Sequence, residues 1–266
     1  MCYLRNMAQR IAIIGTGNVA WHLARTLENT GHLIVHIYSR DAAKAKNFGL
    51  DFFNASTGNS TDLRSVDASI FIMAISDDAI QQVAQSLQLP ENAVLCHTSG
   101  TRPLLDLGYA STEHIGVFYP LQTFSKGKRV DFSEIPICVE GDTQFAHESL
   151  TELAYSISNN VQEVNSAQRK VLHLAAVFAC NFTNHMFTIS KEILENGNLN
   201  FDILKPLIAE TLNKSFELGP ENAQTGPAVR GDLETLDRQH ELLTNQPELA
   251  EIYRQISQHI IDTYEE

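Results

Sequence analysis

The chain alternates short apolar runs with amphipathic segments as far as about residue 164, and beyond that point only helical patterns remain. No other feature limits the fold as strongly. Strand-length runs occur at 10–14 (RIAII), 33–38 (LIVHIY), 68–75 (ASIFIMAI), 93–97 (AVLCH), 115–119 and 135–140, with a short last one at 161–164. Between them the spacing predicts a helix with Val19, Leu23 and Leu27 on one face, stopped at Gly31. Further helices are predicted from a cap at Asp41 to Phe48, over 78–87 with Asp78 as N-cap, and over 143–156. Strands covered on both faces read as unbroken apolar runs. Their alternation with helices implies a doubly wound, mainly parallel sheet with right-handed crossovers.

Residues 166–196 contain neither proline nor glycine, which predicts one helix of about 30 residues, roughly 45 Å long. Helices over 201–218, over 233–243 and from Pro247 follow. The expected division is an α/β domain over 1–164 and an all-α domain over 165–266, with a cleft between them.

Gly15-Thr16-Gly17-Asn18-Val19-Ala20 is a GxGxxA turn that follows the first strand and opens the first helix. That context makes it a dinucleotide fingerprint and the α/β half a Rossmann domain. Gly15 permits the tight turn, Gly17 lets a pyrophosphate reach the backbone, and Ala20 lets helix and strand pack closely. The end of the second strand selects the cofactor. An NAD site places an acidic residue there for the ribose diol. This chain reads Tyr38-Ser39-Arg40-Asp41, with Lys44 and Lys46 close by. Ser39, Arg40 and Lys44 suit a 2′-phosphate, so NADP(H) is expected. The alternative reading makes the basic residues a solvated face and gives Asp41 the ribose. Ile75, Ser76, Thr98 and Ser99, in loops leaving later strands, are expected in the same crevice.

Acidic residues number 32 and basic residues 19, for a net charge of −13. That balance argues against nucleic acid and against anionic membranes as partners. A small anionic ligand therefore needs a locally positive pocket, which the Arg40–Lys46 stretch supplies. Cys2, Cys96, Cys138 and Cys180 form no CxxC pair, so neither a metal site nor a disulfide framework is expected, and a reduced cytoplasmic setting is the simplest reading. No apolar run reaches the roughly 18–20 residues of a membrane span. Residues 1–10 lack a signal core and read as a loose lead-in, or as preceding an alternative start at Met7.

Two further sites stand out. The long helix sets His173, Asn181, Asn184 and His185 into the apolar stretch VLHLAAVFACNFTNHMF, which Lys170 immediately precedes. Helical spacing puts Lys170, His173, Val177, Asn181 and Asn184 along one side. They either satisfy one another in a core or face a wet cleft, where His173 suits general acid–base work, Asn181 suits orienting a reacting group and Lys170 is a further candidate. Thr225–Asp232 (TGPAVRGD) runs into a helix capped by Asp232. Gly226, Pro227 and Arg230 there suit a carboxylate, or else Arg230 pairs with an acidic neighbour in a rigid hinge.

GTGNVA, HTSG, YPLQTF and TGPAVRGD, in this order and spread over nearly the whole chain, resemble the Rossmann-like NADP oxidoreductases whose C-terminal helical half is a domain of unknown function. TGPAVRGD with Thr235 and His240 is the most specific part. The family is similar in architecture to pyrroline-5-carboxylate reductase and, more distantly, to 3-hydroxyacid dehydrogenases. The resemblance implies an NADP-binding N-terminal domain and a helical C-terminal domain of a kind that often dimerises, so a homodimer is expected. The phosphate turn maps onto Gly15, Gly17 and Ala20. Two departures matter. Tyr119-Pro120 stands where His-Pro is expected, and Lys170 is followed four places on by Leu174, so the dehydrogenases' lysine-to-asparagine motif is not matched. The function expected is hydride transfer, with NADP(H), to or from a C=N or C=O carbon of a small carboxylate-bearing metabolite. The alternatives are a nicotinamide-nucleotide sensor without turnover and a deazaflavin-dependent enzyme.

Overall fold

The computed structural model describes residues 8–53, 55–125 and 127–265. Most of the lead-in, Cys2 and the alternative start at Met7 lie outside the described residues. In chain order the elements begin β1 (Arg10–Ile14), α1 (Asn18–Asn29), β2 (Leu33–Tyr38), α2 (Ala42–Gly49), β3 (Ser56–Gly58), β4 (Ile70–Met73) and α3 (Ile80–Ser86). They continue with β5 (Val94–His97), β6 (His114–Pro120), β7 (Ile137–Gly141), α4 (Gln144–Tyr155), β8 (Val161–Glu163) and α5 (Ser166–Ala176). The eight strands form one sheet in the order β3-β2-β1-β4-β5-β6-β7-β8. The reversal of direction at β1/β4 is the switch point at which such sheets bind ligands.

Alternation along each strand builds two cores. Ile11 and Ile13 of β1 and Ile70 and Ile72 of β4 pack with Leu23 and Leu27 of α1. Ala12 and Ile14, with Phe71 and Met73, pack on the other face with Ile80 and Ala84 of α3. Successive side chains of a strand point to opposite faces, so a strand buried on both sides must be apolar throughout. Leu23 and Leu27 are fully buried, and burying each contributes about 1.5–3 kcal/mol.

Three expectations need correction. β7 runs antiparallel to β6, so that passage is a return and not a right-handed crossover; the described residues between 121 and 136 form no helix. Asp78 is not a helix N-cap. Residues 77–79 form a 3-10 turn and α3 starts only at Ile80, with Ala79 as its cap. The run from Ser166 is not one regular α-helix, because Val177–Phe182 is π-helical before α6 (Thr183–Asn196) begins. A π turn takes in an extra residue, so α-helical spacing from Lys170 and His173 does not carry through to Asn181 and Asn184.

The chain divides into compact units Met1–Val177 and Phe178–Glu266. The second unit comprises α6, α7 (Lys205–Leu218), α8 (Pro220–Ala223), α9 (Leu233–Glu241) and α10 (Pro247–Tyr264). Asp232 caps α9 by accepting from the Thr235 N–H, and Pro247 opens α10, as predicted. Among its described residues only Ala228, Leu236, Leu243 and Ala250 are buried apolar side chains, while Phe178, Phe182, Leu207 and Phe216 stay exposed. No helix among the described residues is long and apolar enough to cross a membrane.

Candidate functional site

A cleft of about 630 Å³ opens where β1, β2, β4, β5 and β6 end. Its floor is the glycine turn. Gly15 has φ +117°, and a Cβ there would lie 2.2 Å from the Ala74 carbonyl oxygen. Only glycine meets both demands. The Gly15 N–H donates to the Tyr38 carbonyl at 2.9 Å, which ties the turn to the end of β2. No side chain caps α1 at Gly17. The first N–H groups of the helix are thus left for an anion.

Gly15, Thr16, Gly17, Asn18 and Val19 line the cleft. Ala20 does not; it is fully buried in the contact between α1 and the sheet. Ser39, Arg40, Asp41 and Lys44 line one end, whereas Lys46 stays outside. The Asp41 carboxylate accepts from the N–H groups of Ala43 and Lys44. It is committed to capping α2, while Arg40 and Lys44 stand exposed beside it. Ile75, Ser76, Thr98 and Ser99 line the cleft as well.

The segment after β6 supplies a wall whose residues Gln122 and Phe124 the sequence did not assign to the site. The Asn18 side chain donates to the Phe124 carbonyl at 3.0 Å, and His22 Nε2 lies 3.1 Å from the Ser125 carbonyl. These bonds fasten YPLQTF to α1 and bring Gln122 and Phe124 to the cleft.

At the far end, Tyr119 and His173 meet: the Tyr119 hydroxyl lies 3.0 Å from His173 Nδ1. Burial first, with Cys138 next, pushes the Tyr119 hydroxyl up to about 12. Tyr119 therefore holds its proton near neutral pH, and its rotatable hydroxyl bonds Nδ1 of the imidazole. Gly100 completes the fit, since a Cβ there would lie 2.5 Å from His173 Nδ1 and 2.8 Å from Tyr119 Cζ. The turn that carries Gly100 is internally braced. The Ser99 N–H donates to His97 Nδ1, the N–H groups of Thr101 and Arg102 donate to Ser99 Oγ, and Thr101 Oγ1 donates to Asp77 at 2.5 Å. Burial, then the nearby Arg169 charge, pushes His97 down to about 4, so it stays neutral as an acceptor for that turn.

Of the other predicted residues, Lys170 is exposed and does not line this cleft. Asn181 and Asn184 are exposed in the second unit. Gly226 and Pro227 line an apolar cavity of about 300 Å³ within that unit, alongside Met186, Leu236 and Tyr253. Arg230 is exposed in the same loop and makes no ion pair among the described residues. No group of three or more metal-ligating side chains occurs among the described residues.

Comparison with known proteins gives the site a family. The model of the NADP oxidoreductase coenzyme F420-dependent family matches residues 10–99, and that of a domain of unknown function, DUF2520, matches residues 135–260. No curated protein matches the chain. Among solved structures, a protein of Bacteroides fragilis assigned as an NADP oxidoreductase is 38% identical, with a TM-score of 0.85, covering 97% of this chain and 99% of that one. A reductive aminase from Aspergillus terreus, in complex with NADPH and ethyl levulinate, shares the fold at 14% identity and a TM-score of 0.60, over 88% of this chain and 78% of that one. The 1-pyrroline-5-carboxylate reductase of Streptococcus pyogenes shares it at 13% identity and 0.59, over 96% and 99%. Its identity to the Bacteroides fragilis protein over almost the whole of both chains shows that this chain belongs to the same NADP oxidoreductase family.

Proposed function

We propose that the cleft binds NADP(H) and that the protein transfers hydride between its nicotinamide and a C=N or C=O carbon of a small carboxylate-bearing metabolite. One observation carries this reading: a single cleft joins a bare helix N-terminus flanked by Arg40 and Lys44 to the Tyr119–His173 pair. The turn at Gly15–Ala20 takes the pyrophosphate, and Ser39, Arg40 and Lys44 take the 2′-phosphate. Bound nicotinamide supplies the hydride chemistry. His173 gives or takes the proton at the reacting heteroatom, with Tyr119 fixing its ring. The C=N preference draws support from the fold shared with the reductive aminase and the pyrroline-carboxylate reductase.

Arg230, with Gly226 and Pro227, is proposed to hold the substrate carboxylate, because Arg230 stands in an exposed loop with its guanidinium unpaired among the described residues. Asn181 and Lys170 are proposed as polar partners of the substrate. The division of labour between a nucleotide-binding domain over 1–164 and a substrate and dimerisation domain over 165–266 is proposed with them. A reduced, cytoplasmic setting is proposed too; Cys96, Cys138 and Cys180 are free thiols.

Arg40→Ala tests the phosphate assignment. A hydrogen bond to a charged group contributes about 1.5–3 kcal/mol, so the NADPH dissociation constant should rise roughly 10–100-fold while that for NADH hardly moves. Calorimetry with both nucleotides checks this, and equal losses would refute it. A deazaflavin coenzyme belongs in the same titration, since the matched N-terminal family carries F420 in its description. Tighter binding of that coenzyme than of NADPH would replace the cofactor assignment.

The exposed Phe178, Phe182, Leu207 and Phe216 support a homodimer formed through the helical unit. Light scattering on the purified chain should return twice the 29.6 kDa of one copy. A monomer mass at micromolar concentration would end that proposal.

A further inference from the structure

α5 carries Arg169 and His173 four residues apart, on one face of the helix. Arg169 is fully buried. Its Nε donates to the Ser99 carbonyl at 3.2 Å, Nη1 to Glu140 Oε2 at 2.5 Å, and Nη2 to the Arg102 carbonyl at 2.7 Å and to Ser166 Oγ at 3.2 Å. Ser166 Oγ in turn donates to the same Glu140 oxygen at 2.8 Å. One guanidinium thus joins the turn after β5, the end of β7 and the first turn of α5.

The carbonyls that Arg169 grips, Ser99 and Arg102, flank Gly100, the residue packed against the imidazole of His173. One helical turn past Arg169, that imidazole meets Tyr119. A shift of α5 along its axis would press the ring on Gly100 or pull it from Tyr119. The planar fork opposes such a shift because its bonds spread over three elements. Its bonds reach the cleft only at Ser99; none touches the glycine turn, Ser39, Arg40 or Lys44.

We propose that Arg169 is a positioning residue: through Glu140 and the Ser99 and Arg102 carbonyls it sets the register of α5, and so holds His173 against Tyr119 in the cleft. The proposal rests on the reading of His173 as the proton-transferring group. It goes further by naming the part that aims that group. A lysine in its place keeps the charge but lacks the fork.

The test needs no substrate. In the full chain labelled with 15N-histidine, the two ring nitrogens report which one carries the proton, and His173→Ala assigns the His173 signals. With the ring neutral, wild-type His173 should show a single tautomer protonated at Nε2, with Nδ1 accepting from Tyr119. Arg169→Lys should turn this into the mixed tautomers of a free imidazole, while the NADPH dissociation constant stays within about 2-fold, because Arg169 touches neither the glycine turn nor Arg40 and Lys44. Glu140→Gln, the same shape without the charge, should shift the ring signals in the same direction and serves if the lysine variant does not fold. Unchanged His173 signals in a folded variant of either kind would overturn the proposal. So would a loss of NADPH binding as large as the ring effect, which marks a general loss of structure. If the ring signals shift as expected but His173→Ala turns over normally, the positioning stands and the proton-transfer reading alone fails.

Discussion

Removing the carboxylate beside Arg169 should cost the protein more than any surface change. Glu140→Ala is expected to destabilise the fold by about 3 kcal/mol, the lower end of the roughly 3–5 kcal/mol found when a buried pair loses one partner. The Arg169 side chain is 1% exposed and Glu140 19%. Water can therefore reach the vacated position in part, and the three remaining acceptors, Ser99 O, Arg102 O and Ser166 Oγ, still bond the cation. Those two facts place the loss at the lower end. Glu140→Gln should lose less, because an amide oxygen still accepts from Nη1. Replacing Arg169 and Glu140 together by apolar residues should cost less than Glu140→Ala alone, since no charge is then left unpaired. Urea unfolding of the full chain checks the series. A Glu140→Ala loss under about 1 kcal/mol would mean that the pair acts like a solvated surface bridge.

The second large effect is kinetic. His173→Ala should lower turnover by about 10²–10⁴-fold, the usual contribution of a positioned general acid or base. The expectation follows from geometry. Nδ1 is engaged by the Tyr119 hydroxyl, and Nε2 has no protein partner among the described residues. Nε2 is therefore the atom free to serve a substrate, and Tyr119→Phe should show a smaller loss because it removes only the brace. NADPH absorbance followed with a panel of cyclic imines, 1-pyrroline-5-carboxylate among them, and of 2-oxo acids with and without amine supplies the rate. NADPH affinity should be kept in both variants. A His173→Ala enzyme with unchanged turnover on a substrate that the wild type reduces would remove the histidine from the chemistry.

The parts of this molecule that local pattern controls were legible from the residues. β1, β2, β4 and β5 announce themselves because a strand covered on both faces is apolar at nearly every covered position, His36 in β2 and His97 in β5 being the exceptions. The glycine turn is legible because its geometry admits so few residues, and Gly15 with its positive φ and its contact at the Ala74 carbonyl shows why. The edge strand β3, Ser-Thr-Gly, is short and largely exposed, so no apolar run marks it. The direction of β7 has no local signature at all, since a strand reads the same whichever way its neighbour runs. The site splits along the same line. Residues at strand ends and in the glycine turn line the cleft where their place in the pattern puts them. Arg169 carries no signal of its own, because a charged residue on a helix reads as solvated unless its partners are known, and here those partners lie as far as 70 positions away. The one local hint was the four-residue interval to His173. In the sequence Tyr119 stands out only as a departure from a family motif. Its role depends on a histidine 54 residues downstream.

The capping role of Asp41 bears on how coenzyme preference in this family can drift or be redirected. In many dehydrogenases an acidic side chain near this point holds the adenosine ribose. Here that carboxylate is already spoken for by two backbone N–H groups of α2. On the proposed phosphate assignment, stripping Arg40 and Lys44 would leave a site indifferent to the 2′-phosphate, with no acceptor to welcome a bare ribose diol. Releasing Asp41 for that task would unfasten the helix it starts. A route to NADH thus demands a new acidic side chain, at position 39 or 40, and not merely the loss of basic ones.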